Sequence, residues 1–114
     1  MGGSAGAERN WWVYVLRSSR SKRSYVGISN APAERLEAHN GERPGGARST
    51  RAGRPWRIAK LYGPFADRGQ ASRAEYVVKK RRGALRLSWD WRAWQELDEA
   101  HDEDELEGSS TELP

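Results

Sequence analysis

The chain has 114 residues, which corresponds to about one domain, and its hydrophobic content of 36% allows only a small core. No run approaches the roughly 20 apolar residues that span a bilayer, and the N-terminal segment MGGSAGAERN lacks the apolar stretch of a secretory signal. The absence of cysteine excludes disulfides and thiolate metal sites in this chain. We therefore expect a soluble intracellular protein, cytoplasmic or nucleoid-associated.

The net charge of +4 conceals a strong asymmetry along the chain. Residues 1–86 contain 19 Lys or Arg and 6 Asp or Glu, a net of +13, whereas residues 87–114 contain one Arg and 10 acidic residues, a net of -9. A body this basic attracts polyanions, nucleic acid above all, although surface charge also serves solubility. Most of the basic residues are Arg, whose guanidinium binds phosphate through two hydrogen bonds.

The first half of the chain predicts a hairpin followed by a helix. Residues 1–10 are rich in Gly and Ala and are expected to be disordered. Residues 11–17, WWVYVLR, and 24–29, SYVGIS, are aromatic and β-branched, which predicts two strands joined by a basic turn. Gly27 inside the second strand indicates a bulge or the close approach of another group.

Residues 30–40, NAPAERLEAHN, predict a helix with Pro32 in its first turn and Asn40 as a stop residue. Arg35 and His39 are four residues apart and therefore share one helix face. A loop of about 15 residues follows at 41–55, and loops of this length are usually functional or disordered. Its spaced arginines fit contact with DNA phosphates: Arg43, Arg48, Arg51 and Arg54.

The second half predicts a third strand and two more helices. Residues 56–65, WRIAKLYGPF, are expected to form the strand, and residues 67–83 a helix that ends at Gly83. Glu75 borders the apolar stripe of this helix, and Lys79 lies in its last turns, a further candidate DNA contact. That stripe consists of Ala71, Ala74, Val77 and Val78.

The C-terminal part of the chain, residues 87–114, is rich in tryptophan at first and then in Asp and Glu. Trp91, Trp94 and Leu97 recur at intervals of three, which predicts an amphipathic helix within residues 87–100. This helix could pack on the domain, or it could dock a partner or a second copy of the chain. Residues 101–114 are acidic and are expected to be disordered, with autoinhibition of a basic DNA-binding cleft as one hypothesis.

The order of these features resembles the GIY-YIG endonucleases, over residues 11–86. WVY at 12–14 and YVG at 25–27 stand for the two motifs of the family, and Arg35 follows the second tyrosine by ten residues. The segments RPWRIAKLYGPF and SRAEYVVK match the small single-domain branch, which is related to the N-terminal domain of the bacterial excision-repair nuclease and to the catalytic subunit of the structure-specific endonuclease. Unlike the excision-repair domains, this chain has Ile28 in place of a Lys after the second motif, and it has no Asn after Glu75.

The resemblance implies an α+β fold, with a small three-stranded antiparallel sheet flanked by helices, to which the Trp-rich helix is appended. It also implies that the protein is a metal-dependent endonuclease that hydrolyses DNA phosphodiester bonds in branched, flapped or single-stranded DNA. The required cofactor would be Mg²⁺ or Mn²⁺, held by Glu75.

The resemblance further assigns roles to five residues. Tyr25 would act as general base or orient the attacking water, with Tyr14 beside it in contact with water or phosphate. Arg35 would stabilise charge on the scissile phosphate, and His39 would deprotonate or position the nucleophile. A tyrosine hydroxyl, with an ordinary pKa of about 10, can act as base only where cations lower that value or a histidine takes the proton.

Taken singly, the same residues have ordinary structural interpretations, namely strand packing, a solvated helix charge, a surface or capping histidine and a helix salt bridge. Two other functions also stay open. One is a non-catalytic DNA-binding module on the same scaffold, and the other is a protein-interaction adaptor that uses the Trp-rich helix.

Overall fold

Three strands and three α-helices form residues 10–100, the part of the chain that this computed structural model describes. In chain order they are β1 (Trp11–Ser18), β2 (Ser24–Ser29), α1 (Pro32–His39), β3 (Trp56–Phe65), α2 (Arg68–Lys80) and α3 (91–100), with short 3₁₀ turns at Arg48–Thr50 and Gly83–Leu87. The α+β class is confirmed. The disorder predicted at residues 1–10 and 101–114 falls, except for residue 10, outside the described residues.

The strands form an antiparallel sheet in the order β2-β1-β3, with β1 in the centre. In this register Tyr14 lies opposite Gly27 on β2 and opposite Leu61 on β3. The run Val13 to Leu16 is buried throughout, with no residue more than 1% exposed. A strand that is covered on both faces needs apolar residues at consecutive positions, which explains why β1 lacks the usual alternation.

The two faces of the sheet carry separate clusters. Val13 and Val15 lie on the α2 face, where they pack with Val26 and with residues of β3 and α2, namely Tyr62, Phe65, Ala71, Ala74 and Val78. Tyr14 and Leu16 project to the α1 face and pack with Trp56. Because successive side chains of a strand point to opposite faces, β1 alone supplies both clusters.

The prediction of α2 over residues 67–83 is wrong at its ends. Asp67 is the N-cap, and its carboxylate accepts a 2.8 Å hydrogen bond from the backbone N–H of Gln70. The helix ends at Lys80 because Arg81 is extended, and the Arg86 guanidinium donates to the carbonyls of Lys79 and Arg81 at 2.9 Å each. These side-chain hydrogen bonds satisfy carbonyls that a longer helix would have used.

Helix α3 begins one turn later than residue 87, because Asp90 caps it by accepting from the Ala93 N–H at 3.2 Å. Trp91 and Trp94 place their rings edge-on against Phe65, with centroids 5.2 and 6.0 Å away. The Trp-rich helix therefore packs on the domain, as the first of the two interpretations expects, and the docking of a partner stays a prediction. Among residues 10–100, no helix combines the length and apolar character needed to cross a bilayer.

Phe65 is the residue through which α3 packs on the sheet, so Phe65→Ala should lower the free energy of unfolding by about 3–5 kcal/mol. Leu61→Ala on the same strand is the matched control, because Leu61 is 40% exposed, and it should cost less than about 1 kcal/mol. Urea denaturation followed by tryptophan fluorescence measures both. Equal losses in the two variants would show that α3 does not pack as described.

Candidate active site

Tyr14 lies on the α1 face of the central strand and is only 1% exposed. Its ring extends over Gly27 of β2, where an added Cβ would lie 2.5 Å from the Tyr14 hydroxyl oxygen. The β1–β2 register continues through Gly27 without a shift. Of the two explanations for this glycine, the close approach of another group is therefore correct, and that group is the tyrosine hydroxyl.

His39, the last residue of α1, is fully buried between Tyr14 and Thr50. Its Nε2 is 2.9 Å from the Tyr14 hydroxyl, and its Nδ1 is 3.0 Å from Thr50 Oγ1. The Thr50 hydroxyl donates its one hydrogen to the carbonyl of Ala47 at 2.7 Å, so it accepts from Nδ1–H. Nε2 is consequently unprotonated and accepts the hydrogen of Tyr14. We call these three residues the Tyr14–His39–Thr50 network.

The pKa values of this network are shifted apart. Burial, reinforced by the positive charges of Arg35 and Arg54, lowers the pKa of His39 to about 4. Burial also raises the pKa of Tyr14 to about 12, against the opposing effect of Arg35 and with smaller electrostatic contributions from Tyr25 and Glu75. Both groups are therefore neutral at pH 7. The guanidinium of Arg35 does not bring the pKa of Tyr14 below its ordinary value, because desolvation outweighs it.

Three partly exposed residues surround this network, and we call Tyr25, Arg35 and Glu75 the outer residues. The Tyr25 ring lies 4.6 Å from His39 and 6.2 Å from Tyr14, measured between ring centroids. Arg35 Nη1 donates to the carbonyl of Gly45 at 3.0 Å. The charges of Arg35 on α1 and Glu75 on α2 both affect the pKa of Tyr14, so both side chains lie within electrostatic range of its hydroxyl.

The structure thus brings together all five residues that the sequence singles out. They come from the two strands of the β1–β2 hairpin and from α1 and α2, the helices on its two faces. They form two layers, because Tyr14 and His39 are buried whereas the outer residues reach the surface. Only the outer residues can touch a large substrate directly.

A family model for the GIY-YIG catalytic domain matches residues 10–87. The chain belongs to the GIY-YIG catalytic-domain family. A UPF0213 protein of Xanthomonas campestris pv. campestris is 39% identical over 83 residues, which cover 73% of this chain and 78% of that protein. Membership therefore rests on a match along most of both chains as well as on the domain model.

Other relatives of this GIY-YIG chain are much longer proteins. The structure-specific endonuclease subunit SLX1 homolog of Cryptosporidium parvum is 41% identical over 68 residues, 60% of this chain and 17% of that protein. The structure-specific endonuclease subunit slx1 of Schizosaccharomyces pombe is 36% identical over 81 residues, 68% of this chain and 25% of that protein. The chain spans a quarter or less of these endonuclease subunits.

The arginines of the 41–55 loop have different surroundings in the GIY-YIG domain. Arg48 and Arg51 are exposed. Arg43 pairs with Glu37 at 2.8 Å on the surface of α1, and Arg54 is half-buried with its Nε donating to the His39 carbonyl at 2.6 Å. Lys79 forms an i, i+4 ion pair with Glu75 at 3.3 Å. Arg48 and Arg51 are therefore the loop residues that are available to a DNA backbone without breaking these contacts.

Sequence reasoning missed two residues that hold the site. Thr50 fixes the His39 tautomer, but a threonine eleven residues after a histidine gives no recognisable signal. Asn40 does stop α1, as predicted, yet its side chain also bonds both backbone groups of Trp56, accepting from N–H at 2.6 Å and donating to the carbonyl at 2.9 Å. That pair of hydrogen bonds fixes α1 against β3.

The described residues contain no cluster of three His, Asp or Glu side chains that could enclose a metal ion. Glu75 offers a single carboxylate whose side chain is 22% exposed and whose charge acts on Tyr14. Mg²⁺ is commonly held by one or two carboxylates together with water and substrate phosphate. One carboxylate is therefore compatible with a cation whose other ligands are water and substrate, and Glu75 is the residue that could supply it.

The contact between Tyr14 and Gly27 predicts the effect of Gly27→Ala. The new methyl group should displace the tyrosine hydroxyl, break its hydrogen bond to His39 and lower the free energy of unfolding by about 1–3 kcal/mol. The ¹⁵N shifts of the His39 ring report the lost hydrogen bond. Gly69→Ala is the control, since its Cβ would lie 3.4 Å from the nearest atom, and unchanged ring shifts in Gly27→Ala would contradict the assigned network.

The lowered pKa of His39 predicts how stability depends on pH. Between pH 4 and 6.5 the unfolded chain binds a proton at His39 that the folded protein does not, so the free energy of unfolding rises with pH by roughly 1–3 kcal/mol. As pH falls through this window the contribution is lost. NMR titration of the His39 ring gives its pKa, and urea denaturation at each pH gives the stability.

His39→Gln is the matched variant, because other groups titrate in the same window. The pH dependence that belongs to His39 is the part that this variant lacks. Identical pH profiles for the two proteins would contradict the buried, neutral histidine.

Proposed function

We propose that this protein is an endonuclease that hydrolyses phosphodiester bonds in DNA with the help of Mg²⁺ or Mn²⁺. We further propose that it acts on branched, flapped or single-stranded DNA. The observation that carries the proposal is the convergence of Tyr14, Tyr25, Arg35, His39 and Glu75, from two strands and two helices, at one site of a GIY-YIG domain.

Arg35 is the residue placed to bind the scissile phosphate. Its guanidinium is half-exposed, and its hydrogen bond to the Gly45 carbonyl fixes one nitrogen, leaving other N–H groups for a ligand. A guanidinium held in place before the reaction stabilises the charge that develops on phosphate oxygens without reorganising. Arg35 would therefore contribute to both substrate binding and the chemical step.

Tyr25 is the tyrosine placed to contact the attacking water, because its side chain is partly exposed beside the network. Tyr14 is 1% exposed and His39 is fully buried, so both would act through Tyr25 and Arg35 rather than on the nucleophile directly. The Tyr14–His39–Thr50 network fixes the packing surface against which Tyr25 lies. This division revises the expectation that Tyr14 touches water or phosphate.

Glu75 would hold the divalent cation. Such an ion polarises a phosphoryl oxygen and stabilises the leaving oxygen when bound. In the absence of a cation, the Lys79 ammonium balances the negative charge of the Glu75 carboxylate at 3.3 Å. Lys79 lies one helical turn after Glu75 on α2. Lys79 is therefore also placed to contact a neighbouring phosphate, alongside Arg48 and Arg51 of the loop.

The preference for branched or flapped DNA draws on relatives. Two relatives carry the name structure-specific endonuclease subunit, and both match this chain over the nuclease domain, although it covers only 17% and 25% of them. Most of the length of those two proteins lies outside the segment that this chain matches.

The proposal predicts that Glu75→Gln and Arg35→Gln each lower the cleavage rate at least about 100-fold, because they remove the metal ligand and the phosphate-binding cation. Glu37→Gln is the control, since Glu37 lies on the outer surface of α1 and pairs with Arg43. The assay uses labelled single-stranded, flap, splayed-arm, four-way and linear duplex DNA with Mg²⁺ or Mn²⁺.

The same experiment separates the alternative functions. A non-catalytic DNA-binding module would bind these DNAs with a steep salt dependence and cleave none of them. A protein-interaction adaptor would bind them weakly and with little response to salt. Cleavage that survives unchanged in Glu75→Gln would contradict the assigned site.

A further inference from the structure

A basic pocket of about 260 Å³ lies beside the turn that connects β1 and β2. Its walls come from the end of β1, the turn, the start of β2 and the segment after α2, and the lining residues are Arg17, Lys22, Ser24, Gly83 and Ala84. We call this the hairpin pocket. Two of the five lining residues are cations and none is acidic, so the pocket favours an anion.

The hairpin pocket lies on the opposite face of the sheet from the Tyr14–His39–Thr50 network. Arg17 is two residues after Val15, which packs on the α2 face, so its side chain points to that face. Gly83 and Ala84 follow α2 on the same side. Tyr14 projects to the α1 face, so the hairpin pocket is separate from the Tyr14–His39–Thr50 network.

Arg17, which lines this pocket, carries an unsatisfied donor. Its Nε is buried and has no hydrogen-bond partner among the described residues. Buried polar groups are almost always paired, so an orphaned donor in a pocket marks a place where a ligand completes the structure. A guanidinium that offers Nε–H together with a neighbouring N–H matches the paired oxygens of a phosphate.

The neighbouring groups are held in position for such a ligand. Arg86 Nη1 donates to Ser24 Oγ at 2.7 Å, which directs the serine hydroxyl hydrogen away from Arg86. Arg86 is itself fixed by the carbonyls of Arg81 and Lys79 at the end of α2. Gly83 has a φ of +54°, and a Cβ built on it would meet nothing within 4 Å, so this side of the pocket is open.

We propose that the hairpin pocket binds a backbone phosphate of DNA at a distance from the bond that is cleaved. The proposal rests on the proposed function in one respect, namely that DNA is the substrate. Arg17 would turn its guanidinium toward the phosphate and thereby pair the buried Nε–H, Ser24 would donate its hydroxyl, and Lys22 would add charge from the turn. The domain would then hold DNA on both faces of its sheet.

Ala84→Glu tests the pocket without removing any of its donors, because it places a carboxylate among them. Ala84 is exposed, so the substitution is expected to be compatible with the fold, and thermal unfolding checks this. Ala84→Gln has nearly the same shape without the charge. Ala93→Glu adds the same charge at an exposed position of α3, outside the pocket.

Affinity for a splayed-arm DNA is measured by fluorescence anisotropy in EDTA, so that no cleavage occurs, over a range of salt concentrations. Loss of one phosphate contact should make the slope of log K against log salt shallower by about 0.9. This is expected for Ala84→Glu and not for Ala84→Gln or Ala93→Glu. Lys22→Gln should also make the slope shallower, whereas Lys60→Gln, which changes an exposed lysine of β3 outside the pocket, should not.

Equal slopes for Ala84→Glu, Ala84→Gln and Ala93→Glu would overturn the proposal while leaving the nuclease intact. Weak, salt-insensitive binding by the unaltered protein would instead overturn the proposed function, and this inference with it. Steep binding that weakens in Ala84→Glu, without cleavage in Mg²⁺, would support the pocket and reject the nuclease. The two hypotheses therefore fail in distinguishable ways.

The Arg17 Nε–H signal in a ¹⁵N NMR spectrum identifies the source of the phosphate. A shift on adding splayed-arm DNA, and none with inorganic phosphate at the same phosphate concentration, assigns the pocket to the DNA backbone. A shift with inorganic phosphate alone would overturn the assignment to DNA.

Discussion

The hydrogen bond from the Tyr14 hydroxyl to the unprotonated Nε2 of His39 is the interaction on which this domain's site depends. It joins the central strand to the end of α1, and Thr50 extends it to the following loop. A further contact fixes each of the two residues. Gly27 lacks the side chain that would clash with the Tyr14 ring, and the Arg54 guanidinium donates a hydrogen bond to the His39 carbonyl. A fully buried histidine is compatible with stability only because both ring nitrogens are satisfied in the neutral form.

The network also determines which residues can meet a substrate. Since Tyr14 and His39 are closed off from solvent, they give the outer residues a rigid base rather than a second set of contacts. Tyr25 lies against that base, Arg35 is tied to a loop carbonyl, and Glu75 approaches from the helix on the other face of the sheet. A site of this kind combines fixed geometry with a surface open enough for a polymer.

The sequence predicts the class of the fold and the residues of the site better than it predicts how deeply those residues are buried and which hydrogen bonds they form. The strands at 11–17 and 24–29 follow from the residue types, whereas the convergence of Tyr14, Arg35 and Glu75 follows from the resemblance to the GIY-YIG family. That Tyr14 is buried, that Thr50 sets a tautomer and that α2 stops at Lys80 depend on contacts between distant residues, such as the hold of Arg86 on the carbonyl of Arg81. No local pattern encodes those contacts.

Gly27 has a consequence for how the two tyrosine motifs can vary. The space in which its Cβ would sit is already filled by the phenol of the facing strand, so the two positions form one steric unit although thirteen residues separate them. A chain with a smaller side chain at position 14 would be released from the glycine requirement at position 27. The tyrosine of the first motif therefore determines which residue the second motif can have at position 27.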